Sequence, residues 1–295
     1  MHTTTQQLDH ETEQANTVNF VPQSQLVGPI DGLGFLQKSL LFAELSKLAY
    51  LDRADAGQLA CQIGLPEVRY YDRDGAQAYV LGNIDDVVVV FRGTEPDEWN
   101  DVKANFDVTK AVAETVGWVH RGFKYEVDDL WPRLEQALFS NCRTLWFTGH
   151  SLGGAIATIC AGRCKLSVIR SNPRALFTYG APRVGNKRYV NYVKLEFYRW
   201  VNNNDIVPRV PPVWLGYRHS GQELYLGVKG QIRSVTGWQR SKDLVRGILG
   251  GLMQGRLDWI SDHLLDEYIK HLRRALRESE AGRLRIKLPV PGLDQ

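Results

Sequence analysis

The segment Gly149-His150-Ser151-Leu152-Gly153-Gly154 constrains this chain more than any other. The residues before it, Arg143-Thr144-Leu145-Trp146-Phe147-Thr148, read as a buried strand. Those after it, Ala155-Ile156-Ala157-Thr158-Ile159-Cys160-Ala161, read as a buried helix. A sharp strand-to-helix turn lifts the central serine hydroxyl clear of the backbone, and side chains at Gly149 and Gly153 would crowd such a turn. The N–H of Leu152 then sits at a helix N-terminus, where it can donate to a developing oxyanion. The plainer alternative is a glycine-rich N-cap in which Ser151 only caps the helix.

Bulk properties narrow the field around that turn. At 295 residues the chain can bury one sizeable core, and 43% apolar with 23% charged residues is ordinary for a globular protein. A net charge of +3 is too small to argue for nucleic acid. The basic cluster at Arg273, Arg274, Arg277, Arg283 and Arg285 alternates with Glu278 and Glu280, as a solvated helix face does. Met1 to Asn19 is polar and lacks the apolar core of a secretory signal, and Gly247 to Met253 is far too short to span a bilayer. Cys61, Cys142, Cys160 and Cys164 contain no C-x-x-C pair, which predicts free thiols in a reducing compartment. A cytoplasmic location is therefore expected.

Residues 1–30 read as a polar, flexible N-terminal extension and 31–295 as a single domain. Phe35 to Tyr50 has the spacing of a core-facing helix, and Asp72-Arg73-Asp74-Gly75 the composition of a hairpin turn. Val87-Val88-Val89-Val90-Phe91 suits a strand covered on both faces. A helix follows from Lys124 to Phe139, interrupted by Pro132. Strands at Ala175–Gly180 and Glu196–Val201 then alternate with a helix near Tyr189 to Leu195. The alternation predicts an α/β fold with a mostly parallel central sheet and helices on both faces.

A serine nucleophile needs a base, and the base an orienting acid. Downstream of Ser151, Asp205 ends a predicted strand in Asn202-Asn203-Asn204-Asp205-Ile206-Val207-Pro208, and sites on parallel sheets gather beyond the carboxyl ends of strands. The alternative is a turn aspartate before Pro208, Pro211 and Pro212. His263 stands where a loop meets a helix, free to swing its imidazole onto the serine; His219 is the second candidate. His271 falls inside a helix.

Phe91-Arg92-Gly93-Thr94, Thr148 to Gly154, Tyr179-Gly180-Ala181-Pro182-Arg183-Val184-Gly185, Asn204 to Pro208 and Asp262-His263 occur in one order along the chain. Together they resemble the class 3 lipases, the filamentous-fungal type of triacylglycerol lipase, over roughly residues 85–270. The resemblance implies the α/β-hydrolase fold, with Ser151 as nucleophile, Asp205 as orienter and His263 as base. It also implies Leu152 and Thr94 as oxyanion donors, while Arg183 and His120 read as structural. The chain departs from the family pattern in lacking an evident secretion signal or disulfide set. It also carries a long segment, about 230–262, between acid and base.

The implied function is hydrolysis of carboxylic esters with apolar acyl chains, without metal or organic cofactor. A phospholipase A1-type activity is the nearest alternative, and a non-catalytic acyl-ligand binding protein the more distant one. The resemblance also implies a helical lid and transient contact with a lipid interface. Trp99, Val102 and Phe106 share one helical face of the 95–107 stretch. Leu244, Val245, Ile248, Leu249, Leu252 and Met253 form a broader stripe, weakened by Gly247, Gly250, Gly251 and Gly255.

Overall fold

The structure is a computed structural model, and it describes residues 20–94, 108–114, 116–227, 231–233 and 258–284. The first helix, Phe35–Leu48, lies within the range its apolar spacing predicts. A second helix, Arg53–Ile63, was not foreseen, although Asp52 caps its first turn through Ala54 and Asp55 N–H and Gly64 ends it in a left-handed conformation. Strands β1 (Glu67–Arg73) and β2 (Ala76–Gly82) form the expected hairpin. Asp74 (φ 48°) and Gly75 (φ 96°) supply its two positive-φ turn residues, whose twist matches that of the flanking strands.

Strand β3 (Asp86–Phe91) is buried along its whole length. Two short strands, β4 (Lys110–Val112) and β5 (Trp118–His120), precede the helix Arg121–Leu138. This helix runs through Pro132 rather than breaking there. An interior proline costs about 3 kcal/mol, and the buried stripe Phe123, Val127, Leu130, Leu134 and Leu138 holds the turns on either side of it to the sheet. Strand β6 (Thr144–His150) leads through Ser151 into the helix Leu152–Cys164, which is buried almost all round. Then come β7 (Pro173–Tyr179), β8 (Gly185–Asn186), the helix Lys187–Tyr192 and β9 (Phe197–Asn202). The last strands are β10 (Tyr217–Arg218), β11 (Gln222–Leu226) and β12 (Ile232–Arg233), followed by the helices Asp258–His263 and Leu265–Glu280.

The main sheet has the order β1-β2-β3-β6-β7-β9-β11-β12. From β3 to β11 every neighbouring pair is parallel; the pairs β1·β2, β2·β3 and β11·β12 are antiparallel. The central strands therefore deliver their carboxyl ends to one edge. β4, β5, β8 and β10 form a small second sheet.

Alternation along each central strand divides the core in two. Val88, Val90, Trp146, Phe177 and Tyr179 join the helices Phe35–Leu48 and Leu265–Glu280 on one face. Val87, Val89, Phe91, Leu145, Phe147 and Leu176 join the helices Arg121–Leu138 and Leu152–Cys164 on the other. Each fully buried large apolar side chain contributes about 1.5–3 kcal/mol, and the contacts are specific: Phe42 stacks on Phe177 at 4.6 Å between centroids.

Of the stretch read as an extension, residues 20–30 lie against this body. The buried Glu44 carboxylate accepts the N–H groups of Gln23 and Ser24 at 2.9 Å each. It also receives Arg273 Nη2 at 2.6 Å, so one carboxylate ties that segment to the first and last helices. No helix among the described residues is long and apolar enough to cross a membrane.

Candidate active site

Ser151 separates β6 from its helix with φ 58° and ψ −129°, a conformation non-glycine residues rarely hold. Its N–H donates to the Tyr179 carbonyl at the end of β7 (2.9 Å), which fixes the turn to the neighbouring strand. The turn closes so tightly that a Cβ on Gly149 would lie 2.5 Å from the Gly153 carbonyl carbon. Ser151 does not cap its helix, since its side chain makes no capping bond. Its Oγ lies instead 3.0 Å from His263 Nε2.

His263 Nδ1 lies 2.9 Å from Asp205 Oδ2, so the three groups form one hydrogen-bonded row. Ser151 and Asp205 are fully buried and His263 is 6% exposed. Asp205 stands just past β9, on a turn closed by its own N–H to the Asn202 carbonyl (2.8 Å). Its Oδ1 accepts the Val207 N–H at 2.9 Å, leaving Oδ2 for the imidazole. Gly180, at φ 60°, makes room for this pair: a Cβ there would stand 2.7 Å from Oδ2 and 2.9 Å from His263 Cε1.

The acid and base segments are also braced directly. Asn202 Nδ2 donates to the Asp262 carbonyl (2.9 Å), and Asp262 Oδ2 accepts Asn203 Nδ2 (3.0 Å) and the Asn204 N–H (3.1 Å). Tyr268, which the sequence reading passed over, adds a further brace. Its hydroxyl accepts the Asn202 N–H (3.0 Å) and donates to Asp205 Oδ2 (2.5 Å). Burial, then the adjoining Asp205 carboxylate, pushes the Tyr268 hydroxyl well above the usual tyrosine range, so it stays a donor.

His219 is elsewhere: its Nε2 lies 2.7 Å from the Pro208 carbonyl. His271 sits on the last helix, 3.9 Å from Glu267. His120 caps the helix Arg121–Leu138 through the Phe123 N–H, and Arg183 Nη1 donates to the carbonyls of Arg209 and Pro211 in the segment after Asp205. Leu152 opens its helix, so its N–H has no intrahelical acceptor. The backbone at Gly93 packs on the elbow, where a Cβ would lie 2.6 Å from the His150 carbonyl oxygen and 3.3 Å from Ser151 Cβ. Thr94 follows directly, half-buried. Trp99, Val102, Phe106, Leu249, Leu252 and Met253 lie outside the described residues. Among those described, no group of His, Cys, Asp and Glu is arranged to hold a metal ion.

The family model for lipase (class 3) matches residues 88–214. A secreted mono- and diacylglycerol lipase from Fusarium solani is 35% identical over 133 residues, 44% of this chain and 32% of that protein. A lipase from Rhizopus niveus is 36% identical over 152 residues, 48% of this chain and 38% of that protein. The alignments thus span about a third of these relatives' length. Among solved structures, lipase II from Rhizopus niveus superposes with a TM-score of 0.56 at 26% identity, covering 65% of this chain and 80% of that one.

These relatives overturn the expected cytoplasmic location. The Fusarium solani protein, matched over 44% of this chain, is secreted by name, which runs against that expectation. The cysteines could not have decided the matter. All four are free, and burial pushes the thiol of Cys160 well up and that of Cys164 to about 12, so those two pack as small apolar groups in any compartment. The shared motifs, the sheet order and the superposition agree: the chain is similar to the class 3 lipases over residues 88–214 and has the α/β-hydrolase fold.

Proposed function

We propose that this protein hydrolyses carboxylic esters with apolar acyl chains through an acyl-enzyme on Ser151. The row Ser151 Oγ, His263 Nε2, His263 Nδ1, Asp205 Oδ2 carries the reading. Ser151 Oγ attacks the ester carbonyl carbon while its proton passes to His263 Nε2. Asp205 remains a carboxylate, accepts the Nδ1–H and stabilises the imidazolium. The carbonyl oxygen becomes an oxyanion facing the Leu152 N–H, with Thr94 as second donor. Collapse of the tetrahedral species breaks the C–O bond, and His263 returns the proton to the departing alcohol. Water activated by the same imidazole then frees the acid and restores Ser151.

The lipase names of the relatives support an apolar acyl group. The stripes at Trp99, Val102 and Phe106 and at Leu249, Leu252 and Met253 are proposed as its cover and as a transient contact with lipid. One catalytic domain is proposed for residues 31–295. A fluorophosphonate probe should label Ser151 in the purified protein and leave Ser151→Ala unlabelled, and an ester panel of graded acyl length should show turnover. An intact protein that neither labels nor turns over any ester rejects the proposal in favour of acyl-ligand binding.

A further inference from the structure

A second hydrogen-bonded row lies beside the first, and the steps above do not use it. His150 Nε2 is 2.8 Å from the main-chain carbonyl oxygen of His263, and Tyr50 Oη is 2.9 Å from His150 Nδ1. A carbonyl oxygen only accepts, so Nε2 carries the hydrogen. The ring is 5% exposed, and burial, then the neighbouring His263, holds it well below the usual histidine range, so it is neutral. A neutral imidazole has one N–H; with that on Nε2, Nδ1 is a bare lone pair and the Tyr50 hydroxyl donates to it. The row therefore runs in one direction, from Tyr50 through His150 to the His263 carbonyl.

His150 precedes Ser151 on the rigid end of β6, whereas His263 ends a short helix beyond the main sheet. The bond from His150 joins the backbone of the proposed base to the turn that carries the proposed nucleophile. The two imidazoles lie 4.7 Å apart between centroids. A cation at 150 would oppose the imidazolium that forms on His263 when Ser151 loses its proton, while a neutral N–H donor braces without that repulsion. Tyr50 also abuts the backbone at Gly93, so the same hydroxyl touches the segment that leads to Thr94.

We infer that His150 is a positioning residue, held by Tyr50 in the Nε2–H tautomer, whose N–H grips the main-chain carbonyl of His263 and sets the Ser151–His263 separation. This inference rests on the ester-hydrolase reading with His263 as base.

The test combines histidine ¹⁵N NMR of the full chain with steady-state kinetics on a soluble p-nitrophenyl ester. His150 resonances, identified by their loss in His150→Gln, should show the Nε2–H tautomer at neutral pH. His150→Leu should lower kcat about tenfold to a hundredfold with KM within about twofold, the scale set by slight misplacement of a catalytic group. His150→Gln, which carries an amide N–H near the Nε2 position, should recover most of that loss. Tyr50→Phe should lower kcat by about threefold to tenfold and mix the tautomers. An Nδ1–H tautomer in the unaltered protein overturns the inference, as does a folded His150→Leu with unchanged kcat. If His150→Leu does not fold, the tautomer and Tyr50→Phe decide, and unchanged kcat in Tyr50→Phe counts against it. His263→Ala separates the two levels. Turnover retained there removes the ester-hydrolase reading, whereas turnover abolished there but intact in Tyr50→Phe and His150→Leu removes the positioning role alone.

Discussion

The Tyr268 hydroxyl donates to Asp205 Oδ2, the same oxygen that faces His263 Nδ1. Asp205 is fully buried, and a buried carboxylate needs donors on its oxygens to remain charged. Its Oδ1 is served by Val207 N–H, and its Oδ2 is shared between the imidazole and the phenol. Tyr268 is thus part of the support for the acid, anchored in turn by the Asn202 N–H.

Replacing Tyr268 with phenylalanine removes a donor from Asp205 and an acceptor from Asn202 while keeping the ring. An unpaired buried N–H costs about 1–3 kcal/mol. Tyr268→Phe should therefore melt several degrees lower, and with the carboxylate less firmly oriented its kcat should fall about tenfold at similar KM. Melting curves and steady-state kinetics on a soluble ester check both. Unchanged values would reduce the Tyr268–Asp205 bond to a bystander.

Ser151 holds a backbone conformation that costs a non-glycine residue about 1–3 kcal/mol, and it must do so to present its hydroxyl to His263. Ser151→Ala keeps that strain, and its turnover should fall by about 10⁴ to 10⁶. Ser151→Gly should be equally inactive yet more stable than Ser151→Ala, by something on the order of 1 kcal/mol after the entropy of glycine is counted. Denaturant titration of the two inactive variants measures that difference directly. A glycine variant less stable than the alanine one would mean the elbow is not strained.

His263→Ala should approach the Ser151→Ala loss, because members of a triad act as a unit. His219→Ala should cost far less turnover, since its Nε2 is engaged with the Pro208 carbonyl. The reverse ranking in a side-by-side assay would move the base and dismantle the proposed mechanism.

The sequence is legible where local pattern decides position. A strand, two glycines and a helix are contiguous in the chain, so the turn at Ser151 could be drawn from composition alone. Asp205 and His263 were found as residues at element ends, and the structure brings both to Ser151. Tyr268 escaped because a tyrosine in an apolar helical stripe reads as core packing, and its partner lies 63 residues earlier in the chain. The Tyr50–His150 bond spans 100 residues and left no local trace. The helix Arg53–Ile63 was missed for another reason. Its cap and stop, Asp52 and Gly64, were in plain view, but only Ala56, Ala60 and Ile63 are buried, too thin a stripe to mark a period. Pro132 misled in the opposite sense, since burial on both sides of it outweighs a local preference.

Glu126, on the helix Arg121–Leu138, offers a test of stability that leaves the proposed site untouched. Burial, then the nearby Asp129, pushes its carboxyl up to about 7 from an ordinary 4.5. The folded protein then holds this proton more tightly than the unfolded chain does. The contribution of Glu126 to stability should be greatest below about pH 4.5, fall as pH rises towards 7, and level off above it, where the charged carboxylate must be kept partly out of water. Glu126→Gln removes that penalty. At pH 8 the variant should be more stable by roughly 0.5–2 kcal/mol, a figure discounted for the solvent that still reaches the side chain. At pH 4 the two proteins should melt together, because Glu126 is then neutral in both states. Thermal melts at pH 4, 6 and 8 separate this from a general packing effect, which would shift Tm equally at every pH.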